Sequence, residues 1–447
     1  MISFRPISIS LSPNVEKDDI DLALKLIFNP SIWKNGEGIE GLEEEFKKYS
    51  GAKYAISFNS GRSALFSVLR NLGLKEDDEI LLQAFTCNAV VNPILWANLT
   101  PVFVDCNDKN FNIDFEDLEK KITPKSRILI VQHTFGLPAD MDRILEICQK
   151  NNLILIEDCA HSLGAEYSPS HQNLGSGGKE KKVGTFGKIA FFSFSRDKVI
   201  SSVYGGMVIT NDDALAKKLK DFQEKIGYPS FFWIFQQLLH PILLNFLILP
   251  TYSFFRFGKT LLNFFQWLHI LSKAVTFGEK RGKQPKYFPK KLPNALAVLA
   301  LNQFKKLEKF NAHRREIADF YFQELARERG SEERSDEGSY NDELKNKNFE
   351  LPPKFSDRSQ IFLRFTIKHL NAHQIIKKAW GKNILIGDWY DKVIAPHDTK
   401  LDKMRYKIGS CPKAKKLAQE TFNLPTHINI SLKEAQKIVD FINNYGD

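Results

Sequence analysis

Phe191-Phe192-Ser193-Phe194-Ser195-Arg196-Asp197-Lys198, with Gly205-Gly206-Met207-Val208-Ile209-Thr210 after it, decides how the rest of this chain is read. An aromatic, apolar run gives way to hydroxyls and charges, a lysine follows, and paired glycines open a second apolar run. Upstream, Leu153-Ile154-Leu155-Ile156 stops just as abruptly at Glu157-Asp158-Cys159-Ala160-His161. Two strands that each finish in reactive residues predict a site at their carboxyl ends, where open α/β sheets collect ligands.

Outward from this centre, short apolar runs alternate with helical patterns. The runs are Tyr54-Ala55-Ile56, Glu79-Ile80-Leu81-Leu82, Pro101-Val102-Phe103-Val104-Asp105, Ile128-Leu129-Ile130-Val131, Leu153 to Ile156, Ile189 to Phe192 and Met207 to Thr210. Near-continuous apolar strands separated by helices predict a mostly parallel sheet covered on both faces. A third strand end carries Ser60-Gly61-Arg62-Ser63, just before a helical stretch from Ala64 to Leu72 that Gly73 stops. Asp158, Ser193 with Lys198, and Ser60-Gly61 are therefore expected at one edge of the sheet.

After about residue 310 the pattern becomes that of a smaller α+β domain, with Phe362-Leu363-Arg364-Phe365-Thr366-Ile367 and a terminal helix from about Leu432 to Tyr445. The polar, charged stretch Ser331 to Ser339 is expected to be a loop. The predicted division is an N-terminal segment (1–50), a large domain (51–225), an apolar helical insert (226–285), and a connecting helix with a small C-terminal domain (286–447).

The chain has 447 residues, enough for a large soluble enzyme. Lysine plus arginine number 63 against 53 acids, a net charge of +10, but the excess is dispersed in small blocks such as Lys280 to Lys291 and Lys413 to Lys416. No nucleic-acid partner is expected; an anionic substrate or a membrane surface fits such a charge. Cys87, Cys106, Cys148, Cys159 and Cys411 form no CxxC pair and read as reduced thiols of a cytoplasmic protein, and no metal site is expected. Met1 to Pro6 shows no export signal.

Taken singly, Lys198 is a surface lysine and Asp158 a turn cap. Together, an acid ending one strand and a lysine just after the next form the pattern of a pyridoxal phosphate enzyme. Lys198 bonds the cofactor's aldehyde when its amine is unprotonated, and Asp158 keeps the pyridine nitrogen protonated. His161 either packs on the ring, or hydrogen-bonds its phenolic oxygen, or is structural. The helix start at Ser60-Gly61-Arg62 offers backbone N–H groups to the phosphate, and Ser193 can add a hydroxyl.

These residues, together with Asp78-Glu79-Ile80, Phe85-Thr86, His133-Thr134-Phe135-Gly136, Ala139-Asp140-Met141, Thr210-Asn211-Asp212, Gln303, Gly387-Asp388-Trp389-Tyr390 and Ala414 to Pro425, resemble the DegT/DnrJ/StrS sugar aminotransferases. The resemblance spans most of the chain apart from about 226–285 and 328–348. It implies a fold-type I, pyridoxal 5'-phosphate-dependent homodimer that aminates a nucleotide-linked keto sugar, usually with glutamate as donor, for surface-glycan or related amino-sugar biosynthesis. Carried over by position, Lys198 is the cofactor-bonding lysine, Asp158 the ring-nitrogen partner, and His161 the neighbour of the ring hydroxyl. Ser193 and Ser60-Gly61-Arg62 form the phosphate site. Cys87 stands where the family often has a stacking aromatic ring, so Phe85 or the Cys87 thiol is expected to cover the cofactor. Val203-Tyr204 replaces the common Gly-Glu, and Lys291 takes the place of a phosphate-reaching arginine from the partner subunit. A sugar dehydratase is the nearest rival, but there the lysine is replaced by histidine. A non-catalytic regulator or membrane scaffold is a third reading.

Ile226 to Phe255 holds no charged residue. At about 1.5 Å per helical residue such a stretch exceeds the ~30 Å bilayer core. Pro229, Pro241 and Pro250, with Gln236-Gln237 and Asn245, break it, and an odd number of crossings would split the site. A re-entrant hairpin, an interfacial anchor flanked by Arg256, Lys259 and Lys273, and a soluble helical cover are the forms expected, with membrane contact through 226–275 at the cytoplasmic face favoured.

Overall fold

All seven apolar runs enter one sheet, in a computed structural model that describes residues 5–169, 180–332 and 349–445. The strands are β1 (Tyr54–Phe58), β2 (Glu79–Gln83), β3 (Thr100–Val104), β4 (Ser126–Gln132), β5 (Ile154–Asp158), β6 (Ile189–Ser193) and β7 (Gly206–Thr210). Their spatial order is β1-β7-β6-β5-β4-β2-β3. β7 runs antiparallel to both β6 and β1, whereas the pairs from β6 to β3 are parallel.

The pleat explains the apolar runs. Ile56, Phe191 and Val208 face one layer with Leu65, Val68 and Leu219 from the helices Gly61–Asn71 and Asp213–Ile226. Their neighbours Ala55, Ala190, Phe192, Met207 and Ile209 face the other, with Leu42 and Phe46 of Gly38–Ser50 and Leu296 and Ala300 of Asn294–Phe304. A strand buried on both faces has no polar alternation to show.

The antiparallel return of β7 creates the loop that carries Lys198. Phe194 N–H donates to Gly205 O at 2.8 Å and Ser202 N–H to Phe194 O at 3.0 Å, so the loop leaves and re-enters the sheet at one point. Gly206 lies against the turn after β1. A Cβ there would stand 2.5 Å from the Ser60 carbonyl carbon and 2.6 Å from Gly61 N.

The long helix Leu307–Glu332 leads to the small domain, in which Phe365–Lys368 pairs antiparallel with Thr421–Leu424 and packs on the helices Ala372–Gly381 and Leu432–Asn443. Ser431 and Glu434 cap the last helix reciprocally. The Ser331–Ser339 stretch lies, from Glu333 on, outside the described residues. Ile7–Ser8 pairs with Ile384–Leu385 and ties the N-terminal segment to the small domain.

The insert is two helices, Phe231–Leu243 and Phe257–Trp267, joined through a π turn at Leu244–Ile248. Phe231–Ile248 is long and apolar enough to cross a membrane by length and composition, yet half of it is buried against the rest of the protein. Trp233, Ile234 and Leu238 join the core beneath the helix Lys17–Ile27 and Leu292, and Trp33 lies 5.9 Å from Phe231 and 6.3 Å from Phe235. The glutamines that interrupt the apolar run are satisfied internally: Gln237 donates to Trp233 O at 2.9 Å and accepts from Ser272 Oγ at 2.7 Å. Within the protomer the insert is a helical cover, and Phe246, Phe254, Phe255, Phe257, Phe264 and Trp267 remain exposed on its outer side.

Gly206→Ala is expected to cost about 1–3 kcal/mol, because the contact it creates is with backbone rather than a movable side chain. Urea denaturation would show the lowered midpoint, and the same variant should bind pyridoxal phosphate more weakly because the Ser60-Gly61 turn is displaced.

Candidate functional site

The carboxyl ends of β1, β5 and β6 meet in a cavity of about 130 Å³ lined by Ser60, Gly61, Arg62, Cys87, Asp158, His161, Ser193 and Lys198. Eight of the ten sequence-predicted site residues therefore converge. Phe85 does not line this cavity: fully buried, it packs behind it on Phe111, Phe135 and Tyr390. Lys291 is also elsewhere in the protomer, with its ammonium 2.6 Å from Glu224 and 4.9 Å from the Tyr228 ring centre.

Lys198 lines the cavity. Burial pulls its pKa down to about 8, the neighbouring Cys87 and Asp158 groups oppose the fall, and the Arg364 guanidinium adds to it. A substantial neutral fraction near physiological pH is what attack on a carbonyl requires. Its backbone is clamped: Asn14 Nδ2 donates to Lys198 O at 2.6 Å and to Val199 O at 3.1 Å. Arg314, fully buried, donates to Val199 O at 2.8 Å and to Asn14 Oδ1 at 2.9 Å.

Asp158 is almost wholly buried and accepts the Ala160 N–H at 3.0 Å. Burial raises its pKa, while that N–H and the nearby Lys198 and His133 pull it down. A carboxylate so placed is short of a cation, and a pyridinium N–H would supply one. Beside it, Glu157 serves the fold: it accepts N–H groups of Gly184, Phe186 and Gly187 at 2.7, 2.7 and 2.6 Å.

His161 accepts the Phe135 N–H on Nδ1 at 3.4 Å, so neutral His161 carries its proton on Nε2, which faces the Tyr390 hydroxyl at 3.4 Å. Burial first, then Lys198 and Arg364, push its pKa well below the usual value. It stays neutral and can donate to an oxygen without bringing a charge. Trp389 stacks on it at 5.6 Å, and the Lys198 ammonium lies 5.2 Å from the Trp389 ring centre. Trp389 and Tyr390 line the cavity, and sequence reasoning assigned neither a role, although Gly387-Asp388-Trp389-Tyr390 was the available signal.

Ser60 is a helix cap: its Oγ accepts the Ser63 N–H at 3.0 Å. The N–H groups of Gly61 and Arg62 lie in the first turn, ahead of the helix's own hydrogen bonds, and with the dipole they suit a phosphate. A Cβ on Gly61 would come 3.0 Å from Ser193 Cβ, so glycine keeps this cradle open, and the hydroxyls of Ser193 and Ser195 stand 3.5 Å apart beside it. The Arg62 guanidinium itself is committed elsewhere. It is buried in an ion pair with Glu279, donates to Ala274 O at 3.0 Å and lies 4.5 Å from the Phe288 ring centre. Burial would lower its pKa, but Glu279 together with Tyr204 and Tyr287 holds it above the ordinary value. Its contribution to the phosphate cradle is the backbone N–H.

The donor set fits pyridoxal phosphate: an amine of lowered pKa, a carboxylate lacking a cation, a neutral histidine donor, and a helix start with two hydroxyls. The bound cofactor supplies an aldehyde carbon and a ring that takes up electron density. With the cofactor bound, Lys198 would supply the amine for its aldehyde and a base for proton movement, Asp158 would hold the proton on the ring nitrogen, and His161 would offer a neutral N–H donor; Trp389, Tyr390 and Cys87 line the same cavity.

Fold and cavity together define a fold-type I pyridoxal phosphate enzyme. The sequence pattern of the DegT/DnrJ/EryC1/StrS aminotransferase family matches residues 14–229 and 277–443, and the chain belongs to that family, whose cofactor is pyridoxal phosphate. The unmatched stretch, 230–276, falls within the insert. GDP-perosamine synthase of Caulobacter vibrioides is 35% identical over 209 residues, covering 47% of this chain and 53% of that protein. The UDP-N-acetyl-3-dehydro-alpha-D-glucosamine 3-aminotransferase of Acidithiobacillus ferrooxidans is 33% identical over 216 residues, 48% of this chain and 56% of that one. The chain thus spans about half the length of the curated relatives it matches. Among solved structures, the Helicobacter pylori aminotransferase PseC superposes with a TM-score of 0.70 at 22% identity, over 98% of each chain. An aminotransferase from Psychrobacter cryohalolentis gives 0.71 at 20%, over 97% of each.

Capture of pyridoxal phosphate by the cofactor-free protein is expected to accelerate with pH through a midpoint of about 8, because only the unprotonated Lys198 amine attacks. Asp158 raises that pKa, so Asp158→Asn should move the midpoint to lower pH. It should also cut amino transfer by about 10²–10⁴-fold, the range for a lost proton-holding group. Stopped-flow absorbance across a pH series measures the first effect and steady-state rates the second.

Proposed function

We propose that the protein is an aminotransferase that moves an amino group from glutamate to a keto sugar carried on a nucleotide, for amino-sugar and surface-polysaccharide synthesis. The single observation that carries this reading is Lys198, held in one cavity with Asp158 and the helix start at Ser60-Gly61. The relatives named for GDP- and UDP-linked sugars support the substrate class. A sugar dehydratase is disfavoured because a lysine stands where that activity places histidine.

The reading includes a cytoplasmic homodimer in which Lys291 reaches the phosphate of the partner's cofactor; its position outside its own cavity supports that role. It also includes contact with an anionic membrane face through the insert. Phe255 is 90% and Trp267 71% exposed, and no acidic residue occurs between Glu224 and Glu279. Burial of several such side chains, at roughly 1.5–3 kcal/mol each, together with basic flanks, suits an interfacial helix pair. Sedimentation with anionic vesicles checks this, and a protein that stays in the supernatant would refute it.

Purified protein given glutamate and a panel of nucleotide-linked keto sugars should yield an aminated sugar by mass spectrometry, with Lys198→Ala inactive. Borohydride should fix the cofactor to Lys198, and peptide mapping to another lysine would overturn the assignment. Mixing Lys198→Ala with Lys291→Ala protomers should restore part of the activity; no recovery after demonstrated exchange would refute a site shared between subunits.

A further inference from the structure

The cavity at Lys198 continues into two larger chambers. The first, of about 530 Å³, shares Cys87, Arg196, Asp197, Lys198, Trp389 and Tyr390 with it and is walled on its far side by His240, Leu244, Leu262, Gln266 and Lys273 of the insert. The second, of about 720 Å³, adjoins the first at Ser10, Leu11, Asp388 and Trp389. Tyr252, Ser253, Arg256 and Lys259 of the insert form one of its walls, and Arg364, Lys377 and Trp380 of the small domain another.

The outer chamber is charged in one direction. Arg256, Lys259 and Lys377 are exposed, and among the described residues none of them has an ion-pair partner, unlike Lys280 and Lys291, which are paired with Asp398 and Glu224. Arg364 adds a fourth cation: it is buried, its Nε has no hydrogen-bond partner, and its guanidinium lies 3.6 Å from the Trp389 ring centre. Asp388 is the only carboxylate among the lining residues, and it sits at the junction with the inner chamber. Four cations against one lining acid give the hollow a net positive charge, which favours an anion. Two of them, Arg256 and Lys259, fall in the segment that the family pattern lacks. The hollow also offers flat surfaces, Tyr252 and the half-exposed Trp380.

We propose that the insert builds an acceptor-carrier site: the outer chamber binds a nucleoside diphosphate, its phosphates on Arg256, Lys259 and Lys377 and its base against Tyr252 or Trp380, while the attached sugar reaches inward past Trp389 to Lys198. This rests on the substrate class proposed above and adds where the carrier is held. Arginine and lysine suit a diphosphate because charge-assisted hydrogen bonds to its oxygens are short and strong. Docking the carrier far from the reacting carbon positions the sugar without touching the chemistry.

The test uses the full-length holoenzyme and two readouts. Calorimetry with GDP, UDP, dTDP and inorganic pyrophosphate should show saturable binding of at least one nucleoside diphosphate, weakened by added salt. The Arg256→Gln, Lys259→Gln and Lys377→Gln variants should each weaken it by about tenfold, the effect of one charge-assisted contact. With a keto-sugar acceptor, the same variants should raise KM for the acceptor by a similar factor with little change in kcat. Circular dichroism guards against misfolding, which exposed substitutions should not cause. Wild-type protein that binds nucleoside diphosphates through these residues yet aminates no nucleotide sugar would support the chamber and refute the aminotransferase reading. Amination with KM unchanged in all three variants would overturn the chamber and leave the activity intact. Binding to anionic vesicles through the same residues, with no nucleoside diphosphate bound, would also overturn it.

Discussion

The site depends on a lysine amine largely withdrawn from water. Burial brings Lys198 to a pKa of about 8, and the same low-dielectric space raises that of Asp158 and holds His161 neutral. One desolvated volume thus sets three protonation states at once. It yields a nucleophilic amine, a carboxyl that keeps company with a cation, and a neutral donor. The sheet supplies the geometry, since three strand ends and the return of a single antiparallel strand place those groups within one small cavity.

The large sheet was legible because strands buried on both faces leave unbroken apolar runs, and each of the seven became a strand. The convergence of eight candidate site residues was legible for a related reason: they stand at strand ends or at a helix start, which local patterns mark. What escaped was tertiary. Trp389 and Tyr390 come from the small domain, and nothing in their local sequence says which wall they form. Phe85 sits near the site in sequence, yet packing on Phe111 and Phe135 turns it into a backing layer. Arg62 stood in a phosphate motif, but Glu279, far along the chain, neutralises its side chain.

In the insert, packing divides what composition leaves uniform. Trp233, Ile234 and Leu238 of its charge-free stretch are part of the protein's own core and His240 reaches Ser12 at 3.0 Å, while Phe246, Phe255 and Trp267 stay exposed. At the insert's far end, Tyr204 OH donates to Lys273 O at 2.5 Å and Arg62 to Ala274 O at 3.0 Å. The residue that interrupts the family's usual Gly-Glu is thus the one that fastens the returning chain. The added segment is thus moored to the catalytic domain at both ends.

The clamp on Lys198 has a mechanical side. Arg314 belongs to the helix that leads into the small domain, and it grips Val199 O and Asn14 with a guanidinium that is fully buried and, among the described residues, pairs with no carboxylate. Burial alone draws its pKa down to about 9, so those neutral hydrogen bonds are what compensate the charge and cannot be given up cheaply. Asn311, one turn earlier on the same helix, holds Leu163 O at 3.0 Å in the loop that follows His161. One helix is therefore pinned to both the segment of Lys198 and the segment of His161, so the amine and the imidazole take their positions from the same element.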